Sequence, residues 1–525
     1  MCYNVVVIGG KYFCLGDIIL EKIAFIEINN FVAKLIIAEV KTNAYFNTIV
    51  KRNVPIDLGK DFEKDHFFKR PQIDSAINVL KQFKQICNVY GIEKTYMIGT
   101  FLPEMRPRNL NSFIDEVYTK CGFKLEPMDE AEQNDCIYRA TLNTTDPNKA
   151  FATEIGLDFV RLVQYNRRGV VNAISFPFGP LSLLSLFNKE EYPEEKERVS
   201  AIEEYIDGEF KRIEWVNEIK TLKFIGIGRY FNDLAKMVIK YKKYPFDRTQ
   251  NYEMDVVNAN YIIDQVVAMG LDENKKLKGL EDGRVDVFAV ALIIIKKLFA
   301  LLGTEKVTVS KNAVLEGKLL EKIIVTTQEK PILDMLEFGV AGAIMNLREQ
   351  QQVHSKQVAV LASIIFRELK VVHKLPKAYL KVLKVAGSLH DIGYVVNYFN
   401  HSKHSQYAIL NKEILGLTHR EQVLASFVAS LHHGESVDVP LWIKYQSLFT
   451  EEDEMAVKKL GIMLNLAESF DVSMANAITD IHCDILGDSV IFKTESETDK
   501  SYELEEAKKI GKQFEGLFKK RLEIL

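Results

Sequence analysis

The stretch Ser388-Leu389-His390-Asp391-Ile392-Gly393-Tyr394 closes an apolar helical run, Val382 to Leu389, on a His-Asp doublet. A carboxylate beside an imidazole in such a setting must be paired or bound to a metal, because burying an isolated charge is too costly. Other imidazoles and acids surround the doublet in sequence. His354 lies upstream in Gln352-Val353-His354-Ser355, and His401 and His404 follow in His401-Ser402-Lys403-His404-Ser405. His432 and His433 come next, and Asp471 closes Leu466-Ala467-Glu468-Ser469-Phe470-Asp471. A lone helical His is ordinarily a core or surface residue, and a lone Asp after a helix is ordinarily a cap. Here six of the ten histidines fall in one set, leaving out His66, His373, His419 and His482. Imidazole nitrogen and carboxylate oxygen are ligands of Zn, Mn, Fe and Mg.

The order H…HD…D resembles the HD superfamily of metal-dependent phosphohydrolases, whose helical domain holds one or two divalent ions. The resemblance implies that His354, His390, Asp391 and Asp471 are ligands of one such ion, Mg, Mn, Fe or Zn. It also implies that His404 and His432 hold a second, with Asp391 bridging and serving catalysis. The four first ligands lie 36, 1 and 80 residues apart, so at least three helices must converge to bring them together. The plain alternative is a hydrogen-bonded His-Asp cluster without an ion.

A chain of 525 residues has room for three or four domains. Its 47% hydrophobic and 27% charged residues are those of an ordinary globular protein. A net charge of -4 and a pI near 6.3 make no electrostatic case for nucleic acid, so any attraction for a polyanion must be local. The six cysteines (Cys2, Cys14, Cys87, Cys121, Cys136, Cys483) form no CxxC pair and read as reduced thiols. No stretch approaches the roughly 18 apolar residues of a membrane span. The first residues lack the pattern of a signal peptide, and the expectation is a cytoplasmic protein without membrane contact.

The first third reads as strands with helices between. Lys22 to Glu27, Lys34 to Val40, Tyr45 to Val50 and Thr95 to Ile98 have strand character, and Ile73 to Tyr90 and Asn111 to Lys120 have helical periodicity. A second block repeats the theme. Its strands are Ala150 to Ile155, Phe159 to Tyr165 and Val170 to Pro177, and Lys223-Phe224-Ile225-Gly226-Ile227-Gly228 reads as a further strand entering a Gly-containing turn. A strand, Gly turn and helix is where phosphate can meet backbone N–H groups, although a plain β-α turn has the same pattern. From Tyr252 onward helices dominate, apart from a strand at Val307 to Ser310 and a small hairpin in Ala475 to Lys493. Leu504 to Leu525 reads as one amphipathic helix. Thr326 to Pro331 is a polar boundary.

Three further stretches carry a second resemblance. Tyr244-Pro245-Phe246-Asp247-Arg248, Gly279-Leu280-Glu281-Asp282-Gly283-Arg284-Val285-Asp286-Val287, and Val309-Ser310 with Leu315-Glu316-Gly317 resemble the exopolyphosphatase / guanosine pentaphosphate phosphatase (Ppx/GppA) family in pattern and spacing. The resemblance implies an α/β plus all-α chain. Two actin-like (RNase H-like, ASKHA) α/β subdomains, 1–140 and 141–325, precede a helical HD-type domain, 326–525. It implies phosphoanhydride cleavage in the cleft between subdomains, polyphosphate or a phosphorylated nucleotide as substrate, and a homodimer. The family's glycine loops fall on Glu27-Ile28-Asn29-Asn30-Phe31-Val32, on Glu154-Ile155-Gly156-Leu157-Asp158-Phe159-Val160-Arg161-Leu162, and on Gly226-Ile227-Gly228-Arg229-Tyr230. Most of the glycines are replaced. Glycine lets backbone approach an oxyanion, whereas Leu157, Phe159 and Tyr230 put side chain there. Gly156, Gly226, Gly228, Arg161 and Arg229 remain as candidate phosphate contacts, and Glu130 matches the family's water-activating Glu. The bland reading of Glu130 is a solvated residue at a helix start. Two functional readings follow: a phosphohydrolase with its better-preserved centre at the His-Asp site, or a non-catalytic nucleotide or polyphosphate sensor with a structural metal.

Overall fold

The computed structural model describes residues 5–8, 11–14, 21–40, 46–60, 66–145, 149–271, 285–327 and 335–525. Gly279 to Arg284 of the family-like motif lie outside them. The chain divides into two compact units, Met1–Lys240 with Tyr252–Leu333, and Tyr241–Asn251 with Asp334–Leu525.

In the first unit Val5–Ile8 (β1) and Lys11–Cys14 (β2) pair as an antiparallel ribbon. Glu21–Ile28 (β3), Val32–Val40 (β4) and Phe46–Pro55 (β5) make an antiparallel meander. The helix Arg70–Val89 leads to Lys94–Gly99 (β6), parallel to β3, and the helix Leu110–Cys121 leads to Leu125–Pro127 (β7). The sheet order is β5-β4-β3-β6-β7. The periodic face read from sequence is the buried one: Ile73, Ile77, Leu80, Phe83 and Cys87 pack onto the sheet.

The second sheet repeats the plan. Lys149–Ile155 (β8), Val160–Asn166 (β9) and Gly169–Phe176 (β10) form a meander, and Lys223–Ile227 (β11) and Lys306–Ser310 extend it in parallel. Glu253–Asp255 (β12) adds an antiparallel edge to Lys306–Ser310 (β13), giving β10-β9-β8-β11-β13-β12. Two α/β lobes were expected, and two sheets of matching order are found.

The second unit is helical around one apolar core. Its main helices are Glu349–Glu368, Tyr379–Leu389, His401–Asn411, His419–Ala429 and Asp453–Ser469. Ile478–Ile485 (β14) and Ser489–Ser496 (β15) form the expected hairpin. The expected single helix Leu504 to Leu525 is instead Ser501–Lys508, Gly511–Phe518 and a strand, Arg521–Ile524 (β16). Lys519 turns left-handed at φ 59°, which ends the second helix, and β16 then pairs with β15. The expected boundaries also need correction at Tyr241–Asn251, which packs in the helical unit. Phe246 meets His419 and Tyr445, and Arg248 Nη1 donates to Lys412 O at 2.7 Å. Among the described residues no helix is long and apolar enough to cross a membrane, and Cys87, Cys121, Cys136 and Cys483 are free thiols.

Candidate metal centre

A close helix crossing starts the site. A Cβ on Gly387 would lie 3.0 Å from Ala359 Cα, so the helix Tyr379–Leu389 passes tight against Glu349–Glu368. His390, at its end, therefore meets His354, with the two Nε2 atoms 3.3 Å apart. Gly393 presses on the next helix: a Cβ there would lie 2.2 Å from His401 O, and its N–H donates to Ser405 Oγ at 2.9 Å. The start of His401–Asn411 is thereby fixed to the doublet. His432 and His433 follow the helix His419–Ala429, and Glu468 sits near the end of Asp453–Ser469.

Two groups of ligand atoms result, and Asp391 serves both. In the first, Glu468 Oε2 lies 3.0 Å from His354 Nε2 and 2.8 Å from His390 Nε2, while Asp391 Oδ2 is 3.9 Å from His354 Nε2. In the second, His401 Nε2 lies 2.9 Å from His432 Nε2 and 3.1 Å from His433 Nε2, and Asp391 Oδ1 is 3.3 Å from His401 Nε2 and 3.7 Å from His432 Nε2. Donor atoms about 2.0–2.2 Å from one tetrahedral ion stand roughly 3.3–3.6 Å apart, which is the middle of this range. The first group is enclosed. The second opens to solvent at His433, which is exposed.

The imidazole tautomers are set from behind. Nδ1 donates to Gly387 O in His390 (2.7 Å), to Tyr398 O in His401 (2.9 Å) and to Ala429 O in His432 (2.6 Å). His354 Nδ1 donates to Asp471 Oδ2 at 2.8 Å. With Nδ1 protonated, Nε2 turns a lone pair inward. With its imidazoles neutral, the centre would gather acceptors without donors. Asp391 is 1% exposed, and its oxygens make no well-aligned hydrogen bond, the nearest nitrogen being His401 Nε2 at 3.3 Å from Oδ1. Only a cation, proton or metal, can hold such an array together. Protons supply part of it: burial would depress the His354 imidazole, but hydrogen bonds to Asp471 and Glu468 outweigh burial and lift it to about 10. Burial would raise the Asp391 and Glu468 carboxyls, and the charge of His390 outweighs it and holds both below their usual range. Burial, with His390 and His433 nearby, drives His432 down to about 3, so its lone pair stays available.

Three residues stand elsewhere than the expected arrangement has them. Asp471 turns away from the doublet to the back of His354, and its Oδ1 accepts from Asn476 N at 2.8 Å. Glu468, three residues earlier, is the carboxylate that lies beside His354 Nε2 and His390 Nε2 instead. Its signal in the sequence was its place three residues before Asp471, at the end of the helix Asp453–Ser469 and just ahead of the turn that carries Asp471. His404 lies outside both groups, against Gly393, and His401 takes its place. His433 joins the second group. His354, His390, Asp391 and His432 come together as expected.

The loops of the α/β unit present a different picture. Glu27 and Lys34 are cross-strand neighbours in β3 and β4, and Lys34 Nζ donates to both Glu27 oxygens at 3.1 Å. Glu154 and Arg161 are the equivalent neighbours in β8 and β9. Arg161 is 1% exposed and donates to Gln133 Oε1 at 2.6 Å, to Ser175 Oγ at 3.3 Å and to Glu154 Oε2 at 3.5 Å. It is committed inward and presents no fork to a phosphate, contrary to expectation. Asn30 Nδ2 donates to Asp158 Oδ2 at 2.8 Å and ties the first loop to the second. A Cβ on Gly156 would lie 2.3 Å from the Phe159 ring, and one on Gly226 would lie 2.3 Å from the Phe231 ring. Both glycines are covered by aromatic side chains. Gly228 keeps an open, left-handed backbone at φ 92°. Arg229 bonds to Asp233 through Nε at 3.3 Å. Glu130 begins the helix Glu130–Thr145 and is half-buried, with its charge acting on Arg161.

Comparison with known proteins places these features. The family model described as Ppx/GppA phosphatase matches residues 36–324, more than half of the chain, and the model described as Ppx/GppA phosphatase, domain III, matches 343–509. A bifunctional 3-dehydroquinate synthase/phosphatase of Fusobacterium nucleatum is 24% identical over 57% of this chain and 46% of its own length. A guanosine-5'-triphosphate,3'-diphosphate pyrophosphatase of Aeromonas hydrophila is 28% identical over 31% of this chain and 32% of its own. The chain thus spans less than half the length of these curated relatives. The crystal structure of an exopolyphosphatase from Cytophaga hutchinsonii superposes with a TM-score of 0.52 at 21% identity, covering 59% of this chain and 99% of that one. That likeness supports the actin-like α/β fold.

Proposed function

The chain belongs to the Ppx/GppA phosphatase family, and from that premise we propose that it is a metal-dependent phosphohydrolase working at the His-carboxylate centre of an HD-type helical domain. The observation that carries this reading is Asp391, whose two buried oxygens make no close hydrogen bond among imidazole Nε2 atoms that are anchored from behind through Nδ1. His354, His390, Asp391 and Glu468 would hold one ion, and His401, His432, His433 and Asp391 a second. A donor set this rich in imidazole suits Zn or Fe better than Mg, which prefers oxygen. Bound there, a divalent ion would bring the pKa of a water toward about 7 and polarise a phosphoryl oxygen. Asp391 orients the reacting water between the two groups. Asp471 fixes the tautomer and ring plane of His354. His433 marks the solvent side, where a phosphoanhydride or phosphoester would enter. Polyphosphate and phosphorylated nucleotides are the substrate classes, and a cytoplasmic homodimer is the expected form.

The cleft of the α/β unit contributes little hydrolysis in this reading. Its carboxylates are neutralised by their own strand partners, and aromatic rings cover Gly156 and Gly226. Each lost oxyanion donor costs about 2.7–4 kcal/mol of transition-state stabilisation. The test is metal analysis of purified protein together with phosphate release from tripolyphosphate and p-nitrophenyl phosphate. Stoichiometric Zn, Fe or Mn, lost together with turnover in His390→Ala, is the expected result. Turnover that survives His390→Ala and disappears in Glu130→Gln would overturn the assignment.

A further inference from the structure

The segment joining the doublet to His401 leaves its apolar side chains in water. Val395, Val396, Tyr398 and Phe399 are 62%, 66%, 66% and 74% exposed. Contiguous apolar exposure of this kind marks a contact surface. The rings also lead inward to the open ligand group. Phe399 meets Tyr398 edge-on with centroids 5.5 Å apart, Tyr398 lies 5.6 Å from Tyr394, and Tyr394 stacks on His401 at 4.2 Å and 13°. The backbone beneath them is pinned. Phe399 N donates to Asn397 Oδ1 at 3.0 Å, and Tyr398 O accepts from His401 Nδ1.

We propose that this aromatic rim stacks a nucleobase, so that the centre acts on phosphorylated nucleosides in preference to inorganic polyphosphate. The inference rests on the metal-centre reading above. A phosphate held at the His401 group leaves the rest of its molecule beside Tyr398 and Phe399. Every base offers a π-face to such rings, whereas a polyphosphate chain carries charge throughout and gains nothing from apolar side chains. A rim built for polyphosphate would carry Lys and Arg at these positions.

The experiment compares GMP with glycerol 2-phosphate, and GTP with inorganic tripolyphosphate, using full-length metal-loaded protein. The wild type is expected to prefer the nucleotide in each pair. In Tyr398→Ala/Phe399→Ala the ratio of kcat/KM for GMP over glycerol 2-phosphate should fall at least about fivefold, the low end of base–aromatic stacking, mainly through KM. Tyr398→Phe with Phe399→Trp should restore it. An unchanged ratio, or equal loss on both substrates, overturns the proposal and leaves the rim to a protein partner or a structural role. If no substrate is turned over, the metal-centre reading has failed. Calorimetry of GMP against inorganic phosphate then decides the rim alone: tighter GMP binding that weakens in the double variant upholds it, and equal binding overturns it.

Discussion

Glu27 and Glu154 in the α/β unit, and Asp391 in the helical unit, are all carboxylates set deep in the fold beside nitrogen groups. Each glutamate lies opposite a base in strand register, Glu27 against Lys34 and Glu154 against Arg161, so the pairing is written into the hairpin itself. Asp391 lies on a turn between two helices, and the nitrogens that face it are imidazole Nε2 atoms whose Nδ1 protons are bound to backbone carbonyls behind them. The first arrangement satisfies its charges internally and leaves nothing to offer a ligand. The second is incomplete as protein alone. Burial of charge is therefore a poor guide to function, and the direction of each neighbouring proton is a better one.

Asp391→Asn breaks the comparison most severely. It removes the shared anionic ligand and replaces an acceptor by an amide, so metal content and turnover should both fall to background, measured by elemental analysis and phosphate release. Asp471→Asn sharpens the distinction between a ligand and the group behind it. It should weaken metal affinity about 10–100-fold, read by competition with a chelating dye, while Glu468→Gln costs more. Arg161→Met tests the other side. It leaves Glu154 without its partner, and loss of about 3–5 kcal/mol in urea unfolding is expected, with turnover per bound metal retained. Asn30→Ala strips Asp158 of its donor at a cost of about 1–3 kcal/mol by the same measurement. The smallest effect belongs to Glu130→Gln, for which turnover should stay at the wild-type value.

Strand and helix positions in the α/β unit were legible because its periodicities are strong; Arg70–Val89 covers the run from Ile73 with helical periodicity and buries its apolar face. The last helix was misread because Leu504 to Leu525 has helical periodicity, while the left-handed Lys519 and the pairing of β16 with β15 are tertiary events. At the candidate site the residue types were legible and the side-chain directions were not. Glu468 ends a helix and Asp471 lies in the turn after it, and the position of His354 between them decides which faces the doublet. His401 and His404 differ by one turn, and contact of Gly393 with His401 O selects the first. The register that neutralises Glu27 and Glu154 could have been read from the acid–turn–base spacing shared by the two hairpins.

Tyr241–Asn251 leaves the α/β part of the sequence, completes the helical unit, and is followed by a return to the α/β unit. A gene fragment beginning at Asp334 would encode every metal-facing residue and still lack Phe246 and Arg248, which fill the space beside His419 and Tyr445 and bind Lys412 O. No single crossover can exchange one unit for a homologue's without mixing parentage inside one of the two units. The two halves are thus tied in inheritance, and a working chimera needs two junctions more than a simple fusion, one on each side of this short loan of sequence.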